Sequence, residues 1–121
     1  MTQEGLPPDY PFQRDWEVTP RELKRMIDSG TAPALIDCRT PAERDIASIP
    51  GSVHVPMAEL SSRLAELRTL EDEPVVVYCH HGARSLRVTA ALRESGFSDV
   101  RSLAGGIHLW STDIDPSVPI Y

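Results

Sequence analysis

The sequence predicts an α/β domain built on a mostly parallel sheet with helices on both faces. Short β-branched apolar runs alternate with segments of helical periodicity along most of the chain, the pattern of successive βαβ units. Right-handed crossovers between parallel strands then place helices on both sides of the sheet. Two reactive side chains, Asp37 and Cys79, fall at the carboxyl ends of such runs. Open parallel sheets bind their ligands at those ends.

Length and composition narrow the function classes. With 121 residues, 40% hydrophobic and 25% charged, the chain is one ordinary soluble domain with enough apolar residues for a core. The formal net charge is −6 and no long basic block occurs, which argues against nucleic acid or an anionic membrane as partner. No apolar run approaches the ~20 residues of a membrane span. The first fifteen residues lack the basic start and apolar stretch of a secretory signal, so a reducing cytoplasm is the expected compartment. Two cysteines, Cys38 and Cys79, make neither a disulfide framework nor a zinc-finger spacing. At least one thiol is then free to react.

Residues 1–17, with Pro7, Pro8 and Pro11, read as an extended lead-in packed through Tyr10, Phe12 or Trp16, and residues 18–121 as a single domain. Thr19-Pro20-Arg21-Glu22 is a helix start: Thr19 as N-cap, Pro20 at the first helical position, Glu22 closing a capping box. Val18 and Leu23 sit where a hydrophobic staple would, and Gly30 ends the helix. Residues 34–37 form a short buried strand, and Pro41 opens a short helix. Ser52 to Val55 forms another strand, and Ser61 or Ser62 caps a helix whose apolar side carries Leu64 and Leu67. The strand at 75–78 is the central one. After it comes a helix with Val88, Ala91 and Leu92 on one side, closed by a left-handed cap at Gly96. Residues 99–103 form the last strand. Gly105-Gly106 turns into a short helix ending near Trp110, and residues 114–121 are a tail.

The stretch Val75-Val76-Val77-Tyr78-Cys79-His80-His81-Gly82-Ala83-Arg84-Ser85 places one nucleophile at a strand–loop–helix junction. A thiol reacts as its thiolate, and an unperturbed cysteine near pKa ~8.5 is ionised only to a few per cent at neutral pH. Lowering that value by about two units requires roughly 2.7 kcal/mol in favour of the anion. A helix dipole supplies about 0.3–1 and at most ~2 kcal/mol. A loop wrapped around the sulfur, with several main-chain N–H groups turned inward, can supply the remainder. Gly82 permits the left-handed turn that such a nest requires. Arg84, and protonated His80 or His81, add positive charge, and the same nest suits an anionic substrate group.

Cys79-His80-His81-Gly82-Ala83-Arg84-Ser85 resembles the active-site loop of rhodanese-like sulfurtransferases. Leu35-Ile36-Asp37-Cys38-Arg39, Pro41-Ala42-Glu43 and Ile49 to Pro56 resemble that family's first strand and the turn after it, and Gly105 to Trp110 its last helix. The resemblance runs from about Val18 to the C-terminus. It implies a three-layer α/β/α fold around a five-stranded parallel sheet. It also implies a mechanism in which Cys79 takes sulfur from thiosulfate or another sulfane donor and holds it as a persulfide. Cyanide, a thiol or a protein then receives that sulfur, with no metal and no organic cofactor. His80, His81, Gly82, Ala83, Arg84 and Ser85 are the expected substrate-binding residues, with Asp37 and Arg39 supporting them as a charge pair below the loop. The tail Ile114 to Tyr121 is similar to the ending of rhodanese domains fused to activating enzymes of ubiquitin-like sulfur carriers, which places such a carrier among the protein acceptors. Arg44, where an aromatic is common, and Ala47-Ser48, where Gly-His is usual, depart from the family.

Two rival readings stand beside this one. Cysteine-dependent phosphatases and arsenate reductases use a similar fold, but their loops hold five residues between cysteine and arginine; this chain has His80, His81, Gly82 and Ala83 alone. A non-catalytic interaction module is the other, although degenerate relatives typically lose the cysteine. Within the leading reading, His80 and His81 are ligands or proton carriers, or they shape the mouth while their amides bind. Arg84 is an anion clamp or a loop staple. Cys38 is expected to be a bystander, His54 a packed strand residue and His108 a helix-surface residue.

Overall fold

The computed structural model describes residue 2 and residues 4–121. Five strands, β1 (Glu17–Val18), β2 (Ala34–Asp37), β3 (Val53–His54), β4 (Pro74–Tyr78) and β5 (Asp99–Leu103), form one sheet in the order β1-β5-β4-β2-β3. Every pairing is parallel. Among the described residues, four α-helices lie between successive strands and a fifth follows β5: α1 (Pro20–Asp28), α2 (Pro41–Ile46), α3 (Leu60–Leu67), α4 (Ala83–Glu94) and α5 (Gly106–Asp113). Among the described residues, no helix is long and apolar enough to cross a membrane.

Side-chain alternation along the strands divides the core in two. Leu35, Val76, Tyr78 and Leu103 pack with Leu23 of α1 and with Ile107 and Trp110 of α5. Ile36, Val75, Val77 and Val100 pack on the opposite face with Val88 and Leu92 of α4 and with Leu60, Leu64 and Leu67 of α3. The result is the expected three-layer α/β/α sandwich. Cys38 and Cys79 continue the second set, so both thiols lie on the α3/α4 face.

Local signals place the helices that position the site. Thr19 and Glu22 exchange both capping-box bonds, and Thr40 and Glu43 do the same ahead of Pro41. Gly96 adopts φ +98°, with the Phe97 N–H bonded to the Leu92 carbonyl at 3.1 Å, a Schellman closure of α4. The expected serine cap at Ser61 or Ser62 is not made. A 3₁₀ turn over Met57–Glu59 runs directly into α3, whose N-cap, Glu59, makes no side-chain cap bond, and both serines lie inside the helix. The strand expected over Ser52 to Val55 is confined to Val53–His54, and α5 extends past Trp110 to Asp113. Glu17–Val18 pairs with Ser102 and Leu103, so the sheet begins within the expected lead-in.

Sheet order also creates the crevice. From β2 the chain moves outward to β3, then returns to place β4 on the other side of β2. The loops that leave β2 and β4 therefore part at their carboxyl ends, where ligands enter parallel sheets. A mainly apolar cavity of about 260 Å³ lies there, lined in part by Cys38, Thr40, Met57 and Arg84.

Candidate active site

Cys79 follows the last residue of β4, and the residue is 2% exposed. The chain turns at Gly82, whose φ of +117° carries the backbone back over the sulfur before α4 begins. The N–H groups of Gly82 and Ser85 then donate to Cys79 Sγ at 3.1 and 3.4 Å. The Ser85 hydroxyl lies 3.3 Å from the same sulfur. It also lies 3.2 Å from the Gly82 carbonyl oxygen and 2.7 Å from the Ser102 hydroxyl. A buried sulfur encircled by donors is a site prepared for an anion.

The electrostatics agree with that geometry. The Cys38 thiol beside it is the largest stabiliser of the Cys79 thiolate; burial opposes ionisation, and the Ser85 hydroxyl and the Ser85 and Gly82 amides add to the stabilisation. The balance holds Cys79 at about 5. Cys38 is pushed the other way, first by its interaction with Cys79 and then by burial, so it stays protonated. Strand register explains the pairing. Asp37 sits opposite Tyr78, and the Cys38 N–H continues the ladder to the Tyr78 carbonyl at 3.1 Å. Cys38, expected to be a bystander, therefore lies beside Cys79 and acts on its ionisation.

The loop is held from beneath by α5. The N–H groups of Ile107 and His108 donate to the carbonyls of Cys79 and His80 at 2.9 and 3.1 Å. Gly106 lets them approach: a Cβ there would stand 2.3 Å from the His80 oxygen and 2.5 Å from that of Cys79. The glycine pair is thus a turn, as expected, and also the seat of the loop.

A chain of polar contacts braces the rim. Arg39 and Asp37, both fully buried, form a two-pronged ion pair with both contacts at 2.8 Å. Arg39 also donates to the Ala47 carbonyl at 2.6 Å and to the Tyr121 hydroxyl at 2.9 Å. Tyr121 in turn donates to Glu43 at 2.7 Å, and Glu43 receives both arms of Arg84 at 2.6 and 2.9 Å. Arg84 is therefore a loop staple, one of its two expected roles. Its guanidinium, followed by the Tyr121 hydroxyl and the Thr40 amide, holds the Glu43 carboxyl well below the usual carboxylate range against a burial cost. Arg44, at the family-atypical position, adds a 3.1 Å contact to Asp37 and bonds Ser52.

Among the expected residues, Cys79, Gly82 and Ser85 meet at the sulfur, Arg84 staples the loop, and Asp37 and Arg39 pair below it. Ala83 opens α4. The rings of His80 and His81 lie 3.9 Å apart outside the sulfur nest, and His108, expected at the helix surface, joins them half-buried. His54 is half-buried on β3 with Nε2 at 2.7 Å from the Arg39 carbonyl oxygen. Two tyrosines escape a reading by motif. Tyr121 stacks on His80 at 3.9 Å and 9°, and Tyr10 accepts from the Gly105 N–H at 3.0 Å while donating to buried Glu17 at 2.6 Å. The only signal for either was an aromatic residue in a proline-containing segment.

The family model for the rhodanese-like domain matches residues 19–113. The chain belongs to the rhodanese-like domain family. Its relatives include a probable adenylyltransferase/sulfurtransferase, MoeZ, of Mycobacterium tuberculosis, 39% identical over 104 residues. That match covers 86% of this chain and 26% of MoeZ, so the chain spans about a quarter of such relatives. Similar solved structures include a rhodanese-related protein from Thermoplasma volcanium, with a TM-score of 0.75 at 27% identity over 88% of this chain and 99% of that one. The human single-domain sulfurtransferase TSTD1 matches with a TM-score of 0.70 at 27% identity, over 80% of this chain and 96% of that one. The five-stranded parallel sheet flanked by helices is the fold these rhodanese-like neighbours share.

Proposed function

We propose that this chain is a sulfurtransferase that carries sulfane sulfur on Cys79. The observation that supports it best is the convergence of the Gly82 and Ser85 amides and the Ser85 hydroxyl on a sulfur held at about 5. In the first half-reaction the Cys79 thiolate attacks the outer sulfur of thiosulfate. The S–S bond of the donor breaks, sulfite departs with the electron pair, and Cys79 holds a persulfide. In the second, a thiophilic acceptor attacks the outer sulfur and the Cys79 thiolate is restored. The loop His80 to Ser85 receives the anionic donor, while the Asp37–Arg39 pair and Arg84 keep it in shape.

Four residues between Cys79 and Arg84 make a tight ring, suited to a single sulfur rather than a phosphoryl group. Two free thiols fit a reducing compartment such as the cytoplasm. The adenylyltransferase/sulfurtransferase names of several relatives favour a protein acceptor, a ubiquitin-like sulfur carrier, over cyanide as the natural second substrate.

Incubation with thiosulfate and cyanide tests the reading. Thiocyanate should form, and Cys79→Ser should abolish it. Hydrolysis of an aryl phosphate without any thiocyanate would replace this reading with the phosphatase one.

A further inference from the structure

Three imidazoles meet where the Cys79 loop rests on α5. One ring nitrogen from each of His80, His81 and His108 lies within 4.8 Å of those from the other two. The ring centroids are 3.9 Å apart for His80–His81, 5.0 Å for His81–His108 and 6.1 Å for His80–His108. Main-chain bonding keeps the group together, because the His108 N–H donates to the His80 carbonyl at 3.1 Å.

Two of the rings are prepared for a ligand. The His80 ring is stacked on Tyr121, and its Nε2 lies 2.9 Å from the Tyr121 carbonyl oxygen. With the proton on Nε2, the Nδ1 lone pair stays available to a ligand, and a backbone carbonyl commonly orients a metal-binding histidine in this way. The His108 Nδ1 is buried and, among the described residues, meets no hydrogen-bond partner. A buried nitrogen left without a partner calls for an explanation, and an ion is one of the few available. His81 is exposed and free to complete the set by rotation. A tetrahedral cation with nitrogen ligands at about 2.0–2.1 Å holds them roughly 3.3 Å apart. The nitrogens, which lie within 4.8 Å of one another, therefore have to close by up to about 1.5 Å.

We propose that His80, His81 and His108 bind a zinc ion through three imidazole nitrogens, with water in the fourth position. Neutral imidazole suits zinc and the neighbouring transition metals and serves magnesium and calcium poorly. A cation held there would tie the Cys79 loop to α5 through side chains as well as through the main chain.

The test uses the full chain carrying Cys79→Ser, which removes the loop thiolate as a competing ligand and makes the result independent of the sulfur chemistry. Zinc chloride is titrated calorimetrically in a non-chelating buffer, and circular dichroism checks the fold of each variant. The proposal expects one zinc per chain at micromolar affinity or better and a rise in melting temperature on binding. His108→Gln and His81→Gln should each weaken binding by more than about tenfold. Since His81 is exposed, its variant keeps the test decisive if the His108 variant misfolds. Absence of zinc binding, or binding left undiminished by either substitution that folds, overturns the three-histidine site.

Discussion

The Ser85 hydroxyl has one proton and three candidate acceptors: Cys79 Sγ at 3.3 Å, the Gly82 carbonyl at 3.2 Å and Ser102 Oγ at 2.7 Å. If Ser102 donates to Ser85, the Ser85 proton is left for the sulfur or the carbonyl, and an ionised acceptor is the stronger. Ser85→Ala therefore removes a charge-assisted bond from the thiolate and keeps the Ser85 amide. Such a bond is worth about 1.5–3 kcal/mol, or roughly 1–2 pKa units. Cys79 should move from about 5 to about 6–7. Iodoacetamide alkylation across pH reports that midpoint directly, since buried Cys38 stays protonated. With a midpoint near 6.5, alkylation at pH ~5.5 should slow roughly eightfold, and hardly at all above pH ~8. Stability follows the same sign. A depressed thiol pKa contributes stability that is complete above the unfolded value of ~8.5 and is lost as pH falls through the folded value, so the variant should lose its share at higher pH. A folded Ser85→Ala protein whose alkylation midpoint does not move would refute the reasoning.

Other substitutions test the supports around the sulfur. Gly106→Ala places a Cβ 2.3 Å from the His80 oxygen at a φ of +63°, so the loop must shift; sulfur transfer should collapse while the circular dichroism spectrum stays α/β. Asp37→Asn leaves the fully buried Arg39 charge without its carboxylate, and urea unfolding should show a loss of about 3–5 kcal/mol. Glu43→Gln removes the carboxylate that Arg84 holds below its usual range. That contribution is present above the unfolded pKa of ~4.3 and fades as pH falls toward the folded value, so the wild-type advantage in melting temperature should shrink in acid.

Features governed by neighbours in sequence were legible in advance. The capping box at Thr19, the left-handed turn at Gly96 and the β-branched apolar run through Val75 to Tyr78 each depend on residues within a few positions. The position of Cys79 at a strand end followed from the same run, and the order of motifs pointed to the family. Features made by distant residues were hidden. Strand β1 is two residues long and exists because Glu17 and Val18 meet Ser102 and Leu103. Tyr121 reaches Arg39, Glu43 and His80 only once the tail has folded back. Cys38 became the partner of Cys79 through the β2–β4 register, which no spacing between the two cysteines encodes. Ser61 and Ser62 misled for a local reason, since a 3₁₀ turn can start a helix without a side-chain cap.

Intact-mass measurement after brief treatment with thiosulfate tests the central claim most directly. The account predicts a gain of one sulfur atom per chain, located at Cys79 by peptide mapping and discharged by cyanide or a thiol. Protein that gains no sulfur from any sulfane donor, or gains it at Cys38 with Cys79 unmodified, would contradict it.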